Sequence, residues 1–420
     1  MIRAPIRVGV LGAGTVGREV VRALVERPDR LCSHDGAPLR LAGVACRDFA
    51  RAREAGLPSA LLTDAPAHLV ADPDIDVIVE LMGGDEPART LIAAALGAGK
   101  PVVTANKHVL AHHGPELEAV ARRNEAPLRF EAAVGGGIPV LSPLAADLAA
   151  DVVARVRGIV NGTTNFILSA MTHEGRPYAE VLADAQARGY AEANPAGDVE
   201  GDDAVNKLVI LARLAFGHWI APPSVSRRPP GMRDAGAPGI TGVSDRELAG
   251  AAALGLTIKL LAVARRSGDA LVAGVVPTAV ALDGAFGRTD GVTNRIEIDA
   301  EPVGTISLSG PGAGGPSTSS AVLGDLVAIA RGLGSTWAGL PPAPAASIAA
   351  LDPAIDPCPW FAFIANPPRS IEPRELGLEI AAAAGGSAIR TPRLSLDDAR
   401  AALGSILTSA EDVTLYPIDD

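Results

Sequence analysis

A chain of 420 residues with 3% aromatic and 20% charged side chains has the composition of a globular protein, long enough for two or three domains. Its formal charge of -11 and lack of any basic block exclude nucleic acid as the expected partner, though a local glycine-rich loop can still bind an anionic cofactor. The cysteines, Cys32, Cys46 and Cys358, are scattered and odd in number, which suggests neither a disulfide framework nor a zinc site and points to a reducing compartment. The start, MIRAPIRVGV, lacks a signal-peptide layout, and glycine and proline break the uncharged stretches. A cytoplasmic protein with no membrane span is expected.

The apolar run 6–11 predicts a buried parallel strand. The loop Gly12-Ala13-Gly14-Thr15-Val16-Gly17 follows, then the helical pattern REVVRALVER, then a second strand ending at Cys46. This order predicts a dinucleotide-binding unit, with Gly12 for the tight turn, Gly14 for close approach to a pyrophosphate and Gly17 for helix–strand packing. Strands at 76–81, 101–104 and 128–132, with helices at 87–98 and 115–123, extend it into a Rossmann-type doubly wound parallel sheet over 1–133.

After Gly135-Gly136-Gly137 the pattern changes. A helix at 143–149, a strand at 153–160, the turn 161–165 and helices at 166–172, 178–188 and 202–215 are predicted. An exposed loop at 221–239, a helix at 245–265 and strands at 270–278, 291–299 and 304–309 complete an α+β domain over 134–308. A helix over 316–332 is expected to pack back on the first domain, so that 309–340 returns to it. The Pro/Ala stretch 341–359 reads as a linker. Residues 360–420 read as a small α/β module: strand 360–366, helix 372–383, strand 387–390, helix 396–407 and strand 412–418.

Two places carry candidate chemistry beyond the glycine loop. At the end of the second strand, Arg47 suits a ribose 2′-phosphate and Asp48 a 2′-hydroxyl, so NADP is favoured and NAD stays open. The chain also has 33 arginines but four lysines, Lys100, Lys107, Lys207 and Lys259, which suggests that lysine is kept where a compact, titratable ammonium is needed. Asp203 and Lys207 fall at i and i+4 of a predicted helix, with the acid on the favourable side. Lys107 follows the fourth strand of the nucleotide sheet, at the carboxyl edge where such sheets bind ligands.

Several segments resemble homoserine dehydrogenases: VIVELMGG ending at Gly84, VVTANKHVLA at 102–111, FEAAVGGGIPV at 130–140 and GIVNGTTNFIL at 158–168. ARGYAEANPAGDVEGDDAVNKLVILA at 187–212 and GPGAGGPSTSSAV at 310–322 carry it further. The resemblance implies interconversion of L-aspartate 4-semialdehyde and L-homoserine with NAD(P)H, for threonine and methionine synthesis. It implies Lys207 and Lys107 as the acid–base candidates, Asp203 as their partner, and a substrate site of Glu192, Asp203, Lys107, Gly162 and Thr163. The cofactor would meet Gly12 to Gly17, Arg47, Thr104, Lys107 and Gly312. A sodium or potassium ion would lie at Glu131, Val134, Gly136 and Ile138, largely on backbone carbonyls. A homodimer or homotetramer and a short C-terminal ACT-like module are further expectations. Another amino-acid dehydrogenase, or a non-catalytic NADP-binding sensor, is the competing reading.

Overall fold

The computed structural model describes residues 4–28, 30–32, 36–337, 339–365, 377–404 and 413–419. They fall into two compact units. The first is built from Met1–Val153, Val209–Pro222 and Asp299–Ile348, and the second from Ala154–Leu208, Pro223–Ile298 and Ala349–Asp420.

The sheet of the first unit holds β1 (Ile6–Leu11), β2 (Leu39–Ala45), β3 (Leu62–Thr63), β4 (Val77–Glu80), β5 (Val102–Thr104) and β6 (Leu128–Arg129). Their order is β3-β2-β1-β4-β5-β6 and every pairing is parallel, which bears out the Rossmann-type sheet. All of β4 is buried, as expected for a strand covered on both faces. The helix Thr15–Glu26 turns Gly17, Val20, Val21 and Leu24 inward, a spacing that makes one helical face. These valines and Leu24 share a core with Val8, Val10 and Val79, and with Val322 and Leu326 of the helix Gly315–Ala330. Each such aliphatic side chain contributes roughly 1.5–3 kcal/mol on leaving water.

Between β2 and β4 lie two short helices, Phe49–Glu54 and Pro66–Ala71, that sequence periodicity does not announce. The helix expected from residue 115 begins eight residues earlier: it is Lys107–Arg123, with Pro115 inside it. Asn106 caps it, accepting the Val109 N–H at 3.2 Å. The buried face of Val109, Leu110, Leu117 and Ala121 carries this helix past the backbone bond that the proline forgoes.

The second unit contains β7 (Val152–Ile159), β8 (Leu256–Ser267), β9 (Ala270–Ala281) and β10 (Thr293–Glu301). After β11 (Gly304–Pro311), which belongs to the first unit's residues, come β12 (Trp360–Ala365), β13 (Glu379–Ala383), β14 (Gly386–Arg390) and β15 (Leu415–Asp419). Within this unit the strands follow one another as β10-β7-β8-β9-β15-β12-β14-β13. Strand β15 inserts beside β9 through Ile418 and Asp419, so the C-terminal strands continue the same sheet. In the Pro/Ala stretch, Leu351 exchanges backbone bonds with Leu271 and Ala273 of β9.

Three expectations are corrected here. The helix expected over 245–265 ends at Ala253. Gly255 then takes a left-handed φ of 69°, and β8 begins at Leu256. Because β8 is buried on both faces over most of its length, its apolar run shows no alternation that would mark it as a strand. The helix expected over 372–383 is, where described, the strand β13, paired to β14 across Gly385 at φ 79°; residues 372–376 lie outside the described residues. The turn at 161–165 is the first turn of the helix Gly162–Glu174, with Asn161 as its N-cap. Among the described residues, no helix is long and apolar enough to cross a membrane.

Candidate active site

The glycine turn has the geometry the sequence requires of it. Gly12 sits at φ 109°, and a Cβ there would lie 2.5 Å from the Leu81 carbonyl oxygen. At Gly17 a Cβ would come within 2.0 Å of the Gly12 oxygen, whereas Gly14 faces open space. Gly14 precedes the helix Thr15–Glu26, whose first turn carries no acidic residue and whose cap makes no side-chain bond. Its first N–H groups and dipole therefore favour an anion. The turn opens into a cleft of about 500 Å³ that Arg47, Asp48, Arg51 and Asp64 also line.

Asp48 is already engaged: its Oδ1 accepts the Arg51 N–H at 2.9 Å and caps the helix Phe49–Glu54. Thr104 is buried. Its hydroxyl donates to Glu80 Oε2 at 2.7 Å and accepts the Asn106 N–H at 2.9 Å. Glu80, which sequence reasoning passed over, also receives the N–H groups of Met82 and Gly83 at 2.8 and 3.3 Å. Burial pushes the Glu80 pKa up, against the pull of those donors. Thr104 thus shapes the loop after β4 from beneath. Lys107 is half-buried and is the first residue of its helix.

In the second unit, Lys207 and Asp203 meet as the i, i+4 spacing predicts. The Lys207 Nζ lies 2.6 Å from Asp203 Oδ2 and donates to the Val160 carbonyl at 2.6 Å. Lys207 is only 8% exposed, so this is no solvated surface pair. Asn161 donates its Nδ2 to Asp203 Oδ2 at 2.8 Å and to Asp198 Oδ1 at 2.7 Å, adding two residues that sequence reasoning did not select. The Thr163 hydroxyl donates to the Tyr190 carbonyl at 2.7 Å, tying the helix start to the segment that carries Glu192. Glu192 itself is exposed, and its carbonyl accepts the Gln186 amide.

The third constellation is a glycine turn at 134–138. Gly135 and Gly136 take φ of 71° and 59°, and a Cβ on Gly136 would strike the Gly312 carbonyl at 2.6 Å. Gly312 therefore faces this turn, while it is Gly315 that abuts the Thr15 carbonyl. Glu131 spends both carboxylate oxygens on the N–H groups of Val140, Leu141 and Ser142. The carbonyls of Val134, Gly136 and Ile138 accept none of the backbone bonds found among the described residues. Hard carbonyl oxygens of this kind are the donors that an alkali cation takes, while the Glu131 carboxylate is already engaged. Among the described residues, no three His, Cys, Asp or Glu side chains gather as a metal site.

Sheet order and glycine turn together define a dinucleotide-binding domain of Rossmann type. The model of the homoserine dehydrogenase NAD binding domain matches residues 12–131, and that of homoserine dehydrogenase itself matches residues 139–327. Over 353 residues the chain is 45% identical to the homoserine dehydrogenase of Mycobacterium bovis, covering 81% of this chain and 77% of that one. The crystal structure of a homoserine dehydrogenase from Thiobacillus denitrificans matches with a TM-score of 0.85 and 33% identity, covering 99% of this chain and 98% of that one. A hyperthermophilic archaeal homoserine dehydrogenase in complex with NADPH matches with a TM-score of 0.63 and 25% identity, covering 77% and 97%. The chain belongs to the homoserine dehydrogenase family.

Proposed function

We propose that this homoserine dehydrogenase uses NADP in preference to NAD, and that Lys207 is the acid–base group at the reacting oxygen. Bound NADPH supplies the hydride that turns the aldehyde carbon of L-aspartate 4-semialdehyde into the alcohol carbon of L-homoserine. Negative charge then grows on the oxygen. An ammonium within hydrogen-bond reach stabilises that charge and gives up its proton; in the reverse direction the neutral amine takes it back.

The observation that carries this reading is the burial of Lys207 with two fixed partners, Asp203 and the Val160 carbonyl, both at 2.6 Å. They aim the amine and keep it from wandering, which is what proton transfer demands. Lys107, half-buried at a helix start, follows β5 at the carboxyl edge of the nucleotide-binding sheet, where the first unit would meet its cofactor. The substrate is a zwitterion. Its carboxylate suits the N–H groups of Gly162 and Thr163 at a helix N-terminus, and its ammonium suits the exposed carboxylate of Glu192.

The NADP preference rests on Arg47 and Arg51 lining the cleft while Asp48 has one of its two oxygens engaged as a helix cap. The carbonyls of Val134, Gly136 and Ile138 would hold a monovalent cation that stiffens the glycine turn. Lys207→Met tests the reading: turnover of homoserine should be lost while NADPH binding, followed by fluorescence, stays within about twofold of the parent. Retained turnover would remove Lys207 from the chemistry.

A further inference from the structure

Lys259 has no part in the chemistry above, yet it is the most buried lysine of the four, at 2% exposure against 8% for Lys207. It stands on β8, and its Nζ reaches four acceptors: the Thr289 carbonyl at 2.9 Å, Ser169 Oγ at 3.0 Å, Asn165 Oδ1 at 3.1 Å and Asp290 Oδ1 at 3.2 Å. Two of them, Asn165 and Ser169, lie on the helix Gly162–Glu174, and two lie on the loop before β10. A compact ammonium can serve acceptors spread around it in this way, and a planar guanidinium cannot. That accounts for a lysine here in a chain that otherwise prefers arginine.

The same loop is sewn to the helix a second time. Asn165 Nδ2 lies within 3.0–3.2 Å of the carbonyls of Thr289, Gly291 and Thr293. Asn165 is one turn from Asn161, whose carbonyl accepts its N–H at 3.3 Å. Next to it, the loop closes on Gly162, where a Cβ would lie 2.8 Å from the Val292 carbonyl oxygen. The loop is therefore a wall against the helix turn that begins with Asn161, Gly162 and Thr163.

We propose that Lys259 is a positioning residue: it clamps the loop 289–293 onto the first turn of the helix Gly162–Glu174, and so holds Asn161 against Asp203 and presents the Gly162 and Thr163 amides to the substrate. The inference rests on the reading of Lys207, Asp203 and the Gly162–Thr163 amides given above. It gives the Asn165, Lys259 and Asp290 group a role in substrate binding without contact to the substrate.

Two variants test it. Lys259→Met removes the clamp. Asn165→Asp keeps an acceptor for Lys259, which supports folding, but replaces the donor to the three loop carbonyls with an oxygen. In steady-state homoserine oxidation, each should raise KM for homoserine about tenfold or more and lower kcat, while NADP affinity stays within about twofold. Should Lys259→Met fail to fold, Asn165→Asp decides alone. A folded Lys259→Met enzyme with unchanged KM and kcat overturns the inference, and so does an Asn165→Asp enzyme with unchanged constants. Lys207→Met in the same assay separates the two readings: if it is dead while Asn165→Asp is normal, the positioning role alone falls, and if it is active, the reading of the site falls first.

Discussion

Asn161 donates its amide to Asp203 across 2.8 Å, onto the same Oδ2 that Lys207 holds at 2.6 Å. One carboxylate oxygen thus bears two donors, and the Asn161 side chain also caps the helix Gly162–Glu174 through the Thr164 N–H at 2.9 Å. The two duties can be separated. Asn161→Ala loses both, with about 1 kcal/mol of stability going with the cap. Asn161→Asp keeps the cap but sets a third carboxylate against Asp198 and Asp203 and repels both. The expected result is a lower melting temperature for Asn161→Asp than for Asn161→Ala, because a buried carboxylate facing two others costs more than the cap returns, together with a lower kcat. Thermal unfolding and homoserine oxidation on the two proteins measure this, and a faster Asn161→Asp enzyme would contradict it.

Cofactor choice gives a second prediction. A 2′-hydroxyl needs a carboxylate at the end of β2, and Asp48 already has its Oδ1 engaged by the Arg51 N–H that it caps, which leaves one oxygen for the ribose. A 2′-phosphate needs guanidinium groups, and Arg47 and Arg51 both line the cleft. With each charge-assisted bond contributing about 1.5–3 kcal/mol, the double variant Arg47→Ser, Arg51→Ser should raise KM for NADP about a hundredfold or more. KM for NAD should change about threefold at most, since no phosphate is lost from that complex. Parallel assays with the two cofactors check it. An equal loss on both would assign the arginines to folding and not to the 2′-phosphate.

The nucleotide-binding half was legible because its chemistry is local: a strand, a glycine turn and a helix sit next to each other in the chain, with Gly12 and Gly17 each answering a backbone contact and Gly14 left open. The Asp203–Lys207 pair was legible for the same reason, one helical turn apart. What escaped was either two-faced or distant. Strand β8 is buried on both sides, so LTIKLLAV has no period to read, and with it went any hint that Lys259 is interior. Asn161 followed by Gly162 carries the marks of a turn, and the same asparagine is also a helix cap; only the structure decides between them. Asp198 lies nine residues before Lys207, and its bond to Asn161 joins parts of the chain that no spacing rule connects.

Glu118 supplies the pH prediction. It is 2% exposed and accepts Arg213 Nε and Nη2 at 2.9 and 2.7 Å, Trp219 Nε1 at 2.9 Å and Arg122 Nε at 2.9 Å. Burial pushes its pKa up, but the donors of Arg213, Trp219 and Arg122 outweigh that and leave it below the ordinary 4.5. A carboxylate with a depressed folded pKa adds stability that is fully present above its unfolded value and is lost as the pH falls through the folded one. Glu118→Gln removes that carboxylate and strands the Arg213 guanidinium, which is 0% exposed. At pH 7 the variant should be less stable by about 3–5 kcal/mol, the usual result of breaking a buried pair from one side. Below about pH 4.5 the parent begins to lose the same interaction, so the two unfolding curves should draw together as acid is added. Denaturant unfolding of both proteins at neutral pH and at successively lower values reads the gap directly. A gap of constant size across that range would mean that the charge on Glu118 is not what holds Arg213 in place.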